Sequence, residues 1–397
     1  MKIQIVSQYY YPDSFLITEI AEGFAQRGHQ VSVVTGLPDY TTTRIPKEYR
    51  WFRKRKEIIN DVYVRRVPTI ARRRGLFFRV LNYFSFMLSS CIYALFTKQH
   101  SFDVIIANQT SPIFQAVAGT ILKKRSRKNL FLYCYDLWPE SLKAWGIKDS
   151  SAVFRLVRRF SSWIYQKCDI IGITSKPFKT YLIDICGVNK ERIVYLPQFS
   201  EDYYKEIACS YDDNDCIDFL FAGNIGAVQN LETVLKAIPR MKTCNNFHFH
   251  IVGDGSQINS IKKMAFELGL DEIVTFHGQN AQEKMPRFYA MADCFLLTLR
   301  CDGFVGQTLP AKAIGYLCCG KPVLGSISGA GAELLRDCNC GVYADPDDVD
   351  KLALLMDDIV DDFDKYRIMG QNGRRYYEQN FTKEIFFDDL TALLGGN

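Results

Sequence analysis

The chain has 397 residues, 48% hydrophobic and 23% charged, with a net charge of +5. That length can bury two sizeable cores, and so modest a charge, set among many Phe and Tyr residues, gives no bulk argument for nucleic acid as a partner. The 13 Cys residues contain no C-x-x-C pair and there are only five His, so neither a disulfide framework nor a zinc site is expected; the cysteines read as reduced, cytoplasmic core filler.

The opening run KIQIVS reads directly as a strand and leaves no room for a signal peptide, so export is not expected. YYYPDS then carries Asp13, and a first helix would carry Glu19. In a parallel sheet, loops after strands hold ligands, so both are candidate acceptor-binding residues; capping weighs equally. After the strand QVSVVTG, residues Trp51 to Thr97 combine Arg and Lys with Trp and Phe in WFRKRK, VRRV and RRRGLFFR. That composition suits an anionic membrane surface, with Arg72, Arg73 and Arg74 as the cations and Phe77 and Phe78 as the inserted rings. Val80 to Thr97 lacks charge and reaches a minimal span in length. Its polar stripe of Asn82, Ser85, Ser89 and Tyr93 predicts a core or interfacial helix instead.

VYVRRV, DVIIAN, NLFLYCYDL, CDIIGIT and RIVYLP are further strands, separated by stretches long enough for crossover helices, which is the signature of a parallel sheet. Asp136 follows the apolar run FLYCY and should emerge at a strand end, with Glu140 close by in DLWPES. Carboxylates there could orient an acceptor hydroxyl or take its proton, and both are catalytic candidates; capping of the next turn is the competing role.

Leu196 to Cys216 is polar, acidic and unpatterned, as a linker should be. The expected domains are 1–200 and 201–380, with 381–397 a helix that returns to the first. IDFLFAGN, FHFHIVGDG, IVTFHG, CFLLTL, KPVLG and GVYAD are the strands of the second domain. His248 and His250 alternate with apolar neighbours and read as packing. DPDDVD, Asp345 to Asp350, precedes a helical pattern and reads as capping, so no metal is expected. In DGFVGQTLPAKAIGYLCCGKPVLGS, Gly303 and Gly306 loosen a loop, Pro310 suits a first helical turn, and Gly320 ends the helix before a strand. Such a helix aims free N–H groups and a positive dipole end at whatever lies before it, and Lys312 adds a cation. That is a place to hold phosphate. The glycine turns in FAGNIG and VGDG would line the same crevice, although each alone reads as an ordinary turn.

The order LPQF, linker, FAGNIG, VGDG, FHG, FYAMADCFLLTL, TLPAKAIGYLCCGKPV and GAGAELL resembles the C-terminal half of family 4 glycosyltransferases. The fold this implies is GT-B, an α/β architecture of two Rossmann-like, doubly wound parallel-sheet domains facing a cleft. YYYPD, GHQVSVVTGLPDY and DLWPES are similar to the subgroup that transfers N-acetylated deoxyhexosamines such as N-acetyl-L-fucosamine in O-antigen or capsule assembly. The resemblance covers nearly the whole chain. It implies donor-binding positions at Gly223, Asn224, Gln229, Gly253, Asp254, Gly278, Gly306, Gln307, Thr308, Leu309, Lys312 and Glu333. Where the family commonly has two glutamates, this chain has Gln307 and Gly315; where it often has Arg and Lys, this chain has Asn224 and Gln229.

The basic, aromatic segment and this resemblance together read as a peripheral enzyme at the inner, cytoplasmic face of the membrane, whose anionic surface it would contact. The C-domain would bind a nucleotide-sugar, UDP-linked, and the N-domain a prenyl-diphosphate-linked sugar, with no cofactor or metal. Two other readings remain: a sugar-nucleotide 2-epimerase of the same fold, which needs no lipid acceptor, and a non-catalytic assembly partner with a degenerate donor site.

Overall fold

The computed structural model describes residues 1–395 apart from positions 14, 42, 52, 74, 99–100, 201–203, 208–210, 212–215, 244, 301–302 and 304, and the side chains at 144, 145 and 305. Arg74 and much of the expected linker thus lie outside the described residues. The chain divides into two compact units, Met1–Leu196 with Phe387–Asn397, and Pro197–Phe386.

The first unit runs β1 (Lys2–Val6), α1 (Leu16–Gln26), β2 (Gln30–Thr35), β3 (Lys56–Ile59), β4 (Val62–Arg66), α2 (Leu76–Phe96), β5 (Val104–Gln109), α3 (Val117–Ser126), β6 (Asn129–Cys134), α4 (Ala152–Lys167), β7 (Ile170–Ile173), α5 (Phe178–Asp184) and β8 (Ile193–Tyr195). Its sheet has the order β3-β4-β2-β1-β5-β6-β7-β8. Neighbours pair in parallel except β3 and β4. Helices covering both faces explain why every residue of β5 is buried. The antiparallel edge strand β3 was not among the strands read from the sequence. Its signal was the pair Asn60–Asp61, both at positive φ, 46° and 63°, which is the two-residue turn that matches the twist of a hairpin.

The second unit runs β9 (Cys216–Ala222), α6 (Leu231–Ala237), β10 (Asn246–Val252), α7 (Ile258–Glu267), β11 (Val274–Gly278), α8 (Met285–Met291), β12 (Cys294–Thr298), α9 (Ala311–Cys319), β13 (Val323–Ser326), α10 (Gly329–Cys338), β14 (Gly341–Ala344), α11 (Val349–Asp361) and α12 (Phe363–Asn380). Its sheet is all parallel, in the order β11-β10-β9-β12-β13-β14. Alternate residues feed two cores: Phe219, Phe221, Phe249 and Ile251 on one face, Leu220, Ala222 and Val252 on the other. In DPDDVD the Asp348 side chain accepts from Lys351 N and caps α11.

Each sheet reverses its winding beside its first strand, β1 next to β5 and β9 next to β12. Ligands of open parallel sheets bind outside the carboxyl ends of the strands at such switch points, so these two places are where function should be sought.

The last helix, α13 (Lys383–Leu393), brings Phe387 into the first unit. Its ring is fully buried, 5.2 Å from the Phe24 ring and 4.0 Å below the Arg27 guanidinium. Gly23 leaves the room, since a Cβ there would fall 2.2 Å from Phe387 Cζ. Phe387→Ala should cost about 3–5 kcal/mol, read as a lower denaturant midpoint for the intact chain. An unmoved midpoint would remove this ring from the core.

Candidate functional site

In the second unit the loops after β9, β10 and β11 are stitched together by backbone. Gly223 N donates to Val252 O, Ile225 N to Asp254 O and Gly253 N to Gly278 O, each at 2.9 Å. A Cβ on Gly253, where φ is +145°, would fall 1.8 Å from Gly223 O, and one on Gly255 would fall 2.3 Å from Ile225 O. These are close backbone approaches that only glycine permits. Asp254 accepts from Gly255 N, and Asn224 is exposed beside Gly226.

Above these loops α9 begins after Pro310, which stands at its N-cap in extended conformation. Lys312 Nζ donates to Gln229 Oε1 at 2.9 Å and lies 3.8 Å from the centre of the Phe221 ring. A Cβ on Gly223 would come within 3.0 Å of that nitrogen. Burial lowers the Lys312 pKa to about 7, so the ammonium is held with little solvation and gains strongly from an anion. Gly223, Gln229, Gly253, Gly278 and Lys312 are therefore brought together. Leu309 and Gly306 are buried, Gln307 and Thr308 half-buried. Gly329 at the start of α10 meets Gly306 O and Gln307, and Glu333 lies half-buried one turn later. Gly315 points elsewhere: a Cβ there would touch Tyr204 at 3.6 Å and Ser200 Oγ at 3.7 Å, and Tyr204 stacks on Tyr289. Packed aromatic surface takes up that side of α9.

In the first unit Asp136 follows β6, and Ser111 Oγ donates to its Oδ2 at 3.0 Å while Trp138 Nε1 donates to Ser111 Oγ at 2.9 Å. Burial raises its carboxyl pKa, against the hydrogen bonds from Ser111, which suits a group that exchanges a proton. Glu140 is buried too, but it forms an ion pair with Lys143 at 2.9 Å. Asp13 accepts from Tyr40 N, Thr41 N and Thr41 Oγ1. Its carboxylate fixes a loop, which is the capping alternative. Glu19 sits in the first turn of α1, and its charge adds to burial in raising the pKa of Tyr135.

Sequence reasoning missed a buried network beside β1 and β2. Gln8 Nε2 donates to Asn82 Oδ1, Asn82 Nδ2 to Asp39 Oδ2, and Arg72 N to the same Asp39 oxygen, each at 2.8 Å. Burial pushes the Asp39 carboxyl up to about 6, against the hydrogen bond from Arg72 N. The only sequence signal for Asp39 was its place in LPDY after a strand. Arg72 differs from its expected role as a surface cation: it is half-buried, with its guanidinium 4.3 Å from the Tyr40 ring centre, because two tyrosine faces attract it. Arg73 and Phe77 are exposed, and Phe78 is half-buried with Arg73 5.4 Å from its ring.

The Lys312 geometry fixes a pH dependence. A bound diphosphate ester favours the ammonium and raises its pKa, so above pH 7 binding must take up a proton, and affinity should fall as pH climbs from about 7. Below pH 7 it should level off. Calorimetry of a nucleoside-diphosphate ester in buffers of different ionisation heat would read the proton directly. Lys312→Met should abolish the uptake, and uptake that survives in it would assign the proton to another group.

Comparison with known proteins follows the same division. Residues 15–199 match the family described as Glycosyltransferase Family 4, and residues 211–376 match Glycosyl transferases group 1. The chain is 28% identical over 306 residues to a Pseudomonas aeruginosa protein named probable glycosyltransferase WbjE, covering 73% of this chain and 74% of that one. It is 27% identical over 318 residues to WcaI of Escherichia coli K12, whose name assigns it to colanic acid biosynthesis, covering 76% of each. Among solved structures, Anabaena HepE in complex with UDP and glucose superposes with a TM-score of 0.70 at 15% identity, over 100% of this chain and 99% of that one. WaaG, a glycosyltransferase involved in lipopolysaccharide biosynthesis, superposes at 0.70 and 14% identity over the full length of both. The two parallel-sheet units and these matches over both halves make the chain a GT-B glycosyltransferase of the group 1/family 4 kind, an enzyme of the hexosyltransferase class.

Proposed function

We propose that this glycosyltransferase moves a sugar, an N-acetylated deoxyhexosamine such as N-acetyl-L-fucosamine, from a UDP-sugar to a prenyl-diphosphate-linked acceptor in the assembly of a bacterial surface polysaccharide. The observation that carries the donor half is the desolvated Lys312 over the Gly223 and Gly253 turns, at the N-terminus of α9. As the glycosidic bond to the donor breaks, charge grows on the departing diphosphate, and Lys312 with the first N–H groups of α9 meets it without a metal. UDP in HepE and the polysaccharide naming of WcaI support the choice of nucleotide and pathway class. The deoxyhexosamine rests on the YYYPD and DLWPES resemblance. Asp136, with its raised carboxyl, is the group suited to the acceptor proton. Arg44, Arg50 and Arg73 line a groove of about 890 Å³ that suits an acceptor diphosphate.

We place the enzyme at the cytoplasmic face of the membrane, lying on it through α2. Asn82, Tyr83, Phe86, Ser90 and Ala94 turn into the unit, and Ser85 and Ser89 bond the 68–70 backbone. The opposite face exposes Phe77, Val80, Phe84, Leu88, Ile92 and Phe96, at helical spacing and next to exposed Arg73 and Arg79. The helix is long and apolar enough to cross a membrane, but its polar bonds into the unit favour lying in the interface.

Full-length enzyme incubated with a panel of UDP-sugars and a prenyl-diphosphate-linked GlcNAc, reading lipid product and free UDP together, tests the reading. Lys312→Ala should raise the donor KM about ten- to a hundredfold. Asp136→Asn should lower kcat by roughly a hundredfold or more with donor KM nearly kept. Normal turnover in a folded Asp136→Asn protein would sink its role, and free UDP without lipid product would sink the acceptor.

On anionic liposomes, Arg73→Gln with Arg79→Gln should lose about 1 kcal/mol per charge at low salt. Phe77→Ser with Leu88→Ser and Ile92→Ser should lose the fraction that resists high salt. Wild-type protein that never sediments with such liposomes would remove the membrane from the proposal.

A further inference from the structure

Three of the five histidines meet at one place in the second unit. Cys216 and Asp218 alternate along β9, His248 and His250 along β10, and His277 stands in β11 beside them. The register sets His248 directly opposite Asp218, so period-2 alternation puts these side chains on one sheet face. Cys216 Sγ lies 3.2 Å from His248 Nδ1, and Asp218 Oδ1 lies 3.9 Å from the same nitrogen. The three ligand atoms all fall within 4.8 Å of one another. A tetrahedral zinc with Zn–S of about 2.3 Å and Zn–N of about 2.0–2.1 Å holds sulfur and nitrogen roughly 3.6 Å apart, close to the spacing found here.

We propose that Cys216, Asp218 and His248 form a zinc site, with a water as fourth ligand on the side where His248 is half-exposed. The donor set of thiolate, imidazole and carboxylate is one that zinc accepts, and it disfavours magnesium and calcium, which take oxygen. Behind the ligands, His277 Nε2 lies 3.0 Å from His250 Nδ1 and His250 Nε2 lies 2.9 Å from Asp218 Oδ1. His250 Nε2–H can donate to Asp218 while its Nδ1 accepts from His277 Nε2–H, a chain that fixes the direction of the carboxylate, the outer support that metal ligands require. Zinc binds the thiolate, so the Cys216 thiol gives up its proton on binding. Binding forms the Zn–S bond and releases that proton to solvent. The absence of a sequence signal is no objection, because strand pairing assembles the ligands from residues 216, 218 and 248. Cys216 opens β9 while the donor loop begins at Gly223 beyond its other end, roughly 20 Å along the strand. The site's role is therefore to clip β9 to β10, independent of the transfer chemistry.

The test uses full-length, untagged protein stripped with a chelator and titrated with zinc against a chromophoric chelator, and separately with cobalt. Wild type should take up one tight equivalent, release about one proton per zinc near neutral pH, unfold at a higher temperature when loaded, and show a thiolate-to-cobalt charge-transfer band. Cys216→Ser should abolish that band, and His248→Ala should weaken zinc at least about tenfold. His250→Ala should weaken it while keeping the band, since it only orients Asp218. Cys91→Ser, which lies in α2, serves as control and should change nothing. Failure of wild type to bind, or binding equally tight in Cys216→Ser and His248→Ala, would overturn the site and leave the cluster a hydrogen-bond chain. UDP-sugar binding by Cys216→Ser should stay normal, so the outcome is separate from that of the proposed transfer reaction.

Discussion

The donor half of this enzyme depends on a steric constraint, the backbone of Gly253 passing so close to Gly223 that no side chain fits between them. That approach lets three strand ends exchange backbone hydrogen bonds and lie flat under the start of α9. Flatness is what gives a diphosphate access to main-chain N–H groups, and it leaves Lys312 to reach across the glycine to Gln229. Lys312 is the cation that reaches across this glycine. Its desolvation makes that lysine costly to charge when the site is empty and strongly favoured when an anion arrives.

Much of this was legible in the chain. Every apolar run read as a strand forms one, because central strands of parallel sheets are buried on both faces and announce themselves as unbroken hydrophobic stretches. Edge strand β3 escaped because KEII is half exposed and carries no such run. The glycine turns and TLPAK helix were readable because glycine and proline act locally. What periodicity cannot show is which polar groups meet across long separations. Asp13, read with equal weight as an acceptor contact or a cap, is held by residues 40–41, and Glu140, a catalytic candidate, is held by Lys143. Asp39 drew no attention, although Asn82 and Arg72 converge on it from the far side of a loop.

The first unit places its polar investment differently from the second. Besides backbone bonds such as Gly36 N to Gln8 O, its strand ends are tied to the helices by side-chain amides and hydroxyls, Gln8 to Asn82 and Gln109 to Tyr165. A side-chain network is specific to one arrangement of its members, whereas a backbone cradle tolerates any ligand that offers the right charge.

The position of Phe387 in the chain bears on how the molecule is made. The ring that fills the space over Gly23 belongs to the first unit, but it is translated only after the whole of Pro197–Phe386. At about 5–20 residues per second, residues 1–196 spend roughly 10–40 s on the ribosome with an apolar notch beside Phe24 waiting for its last ring. The first unit thus closes only after the second has been made, and a chain released before Phe387 would carry that notch as an open, sticky surface.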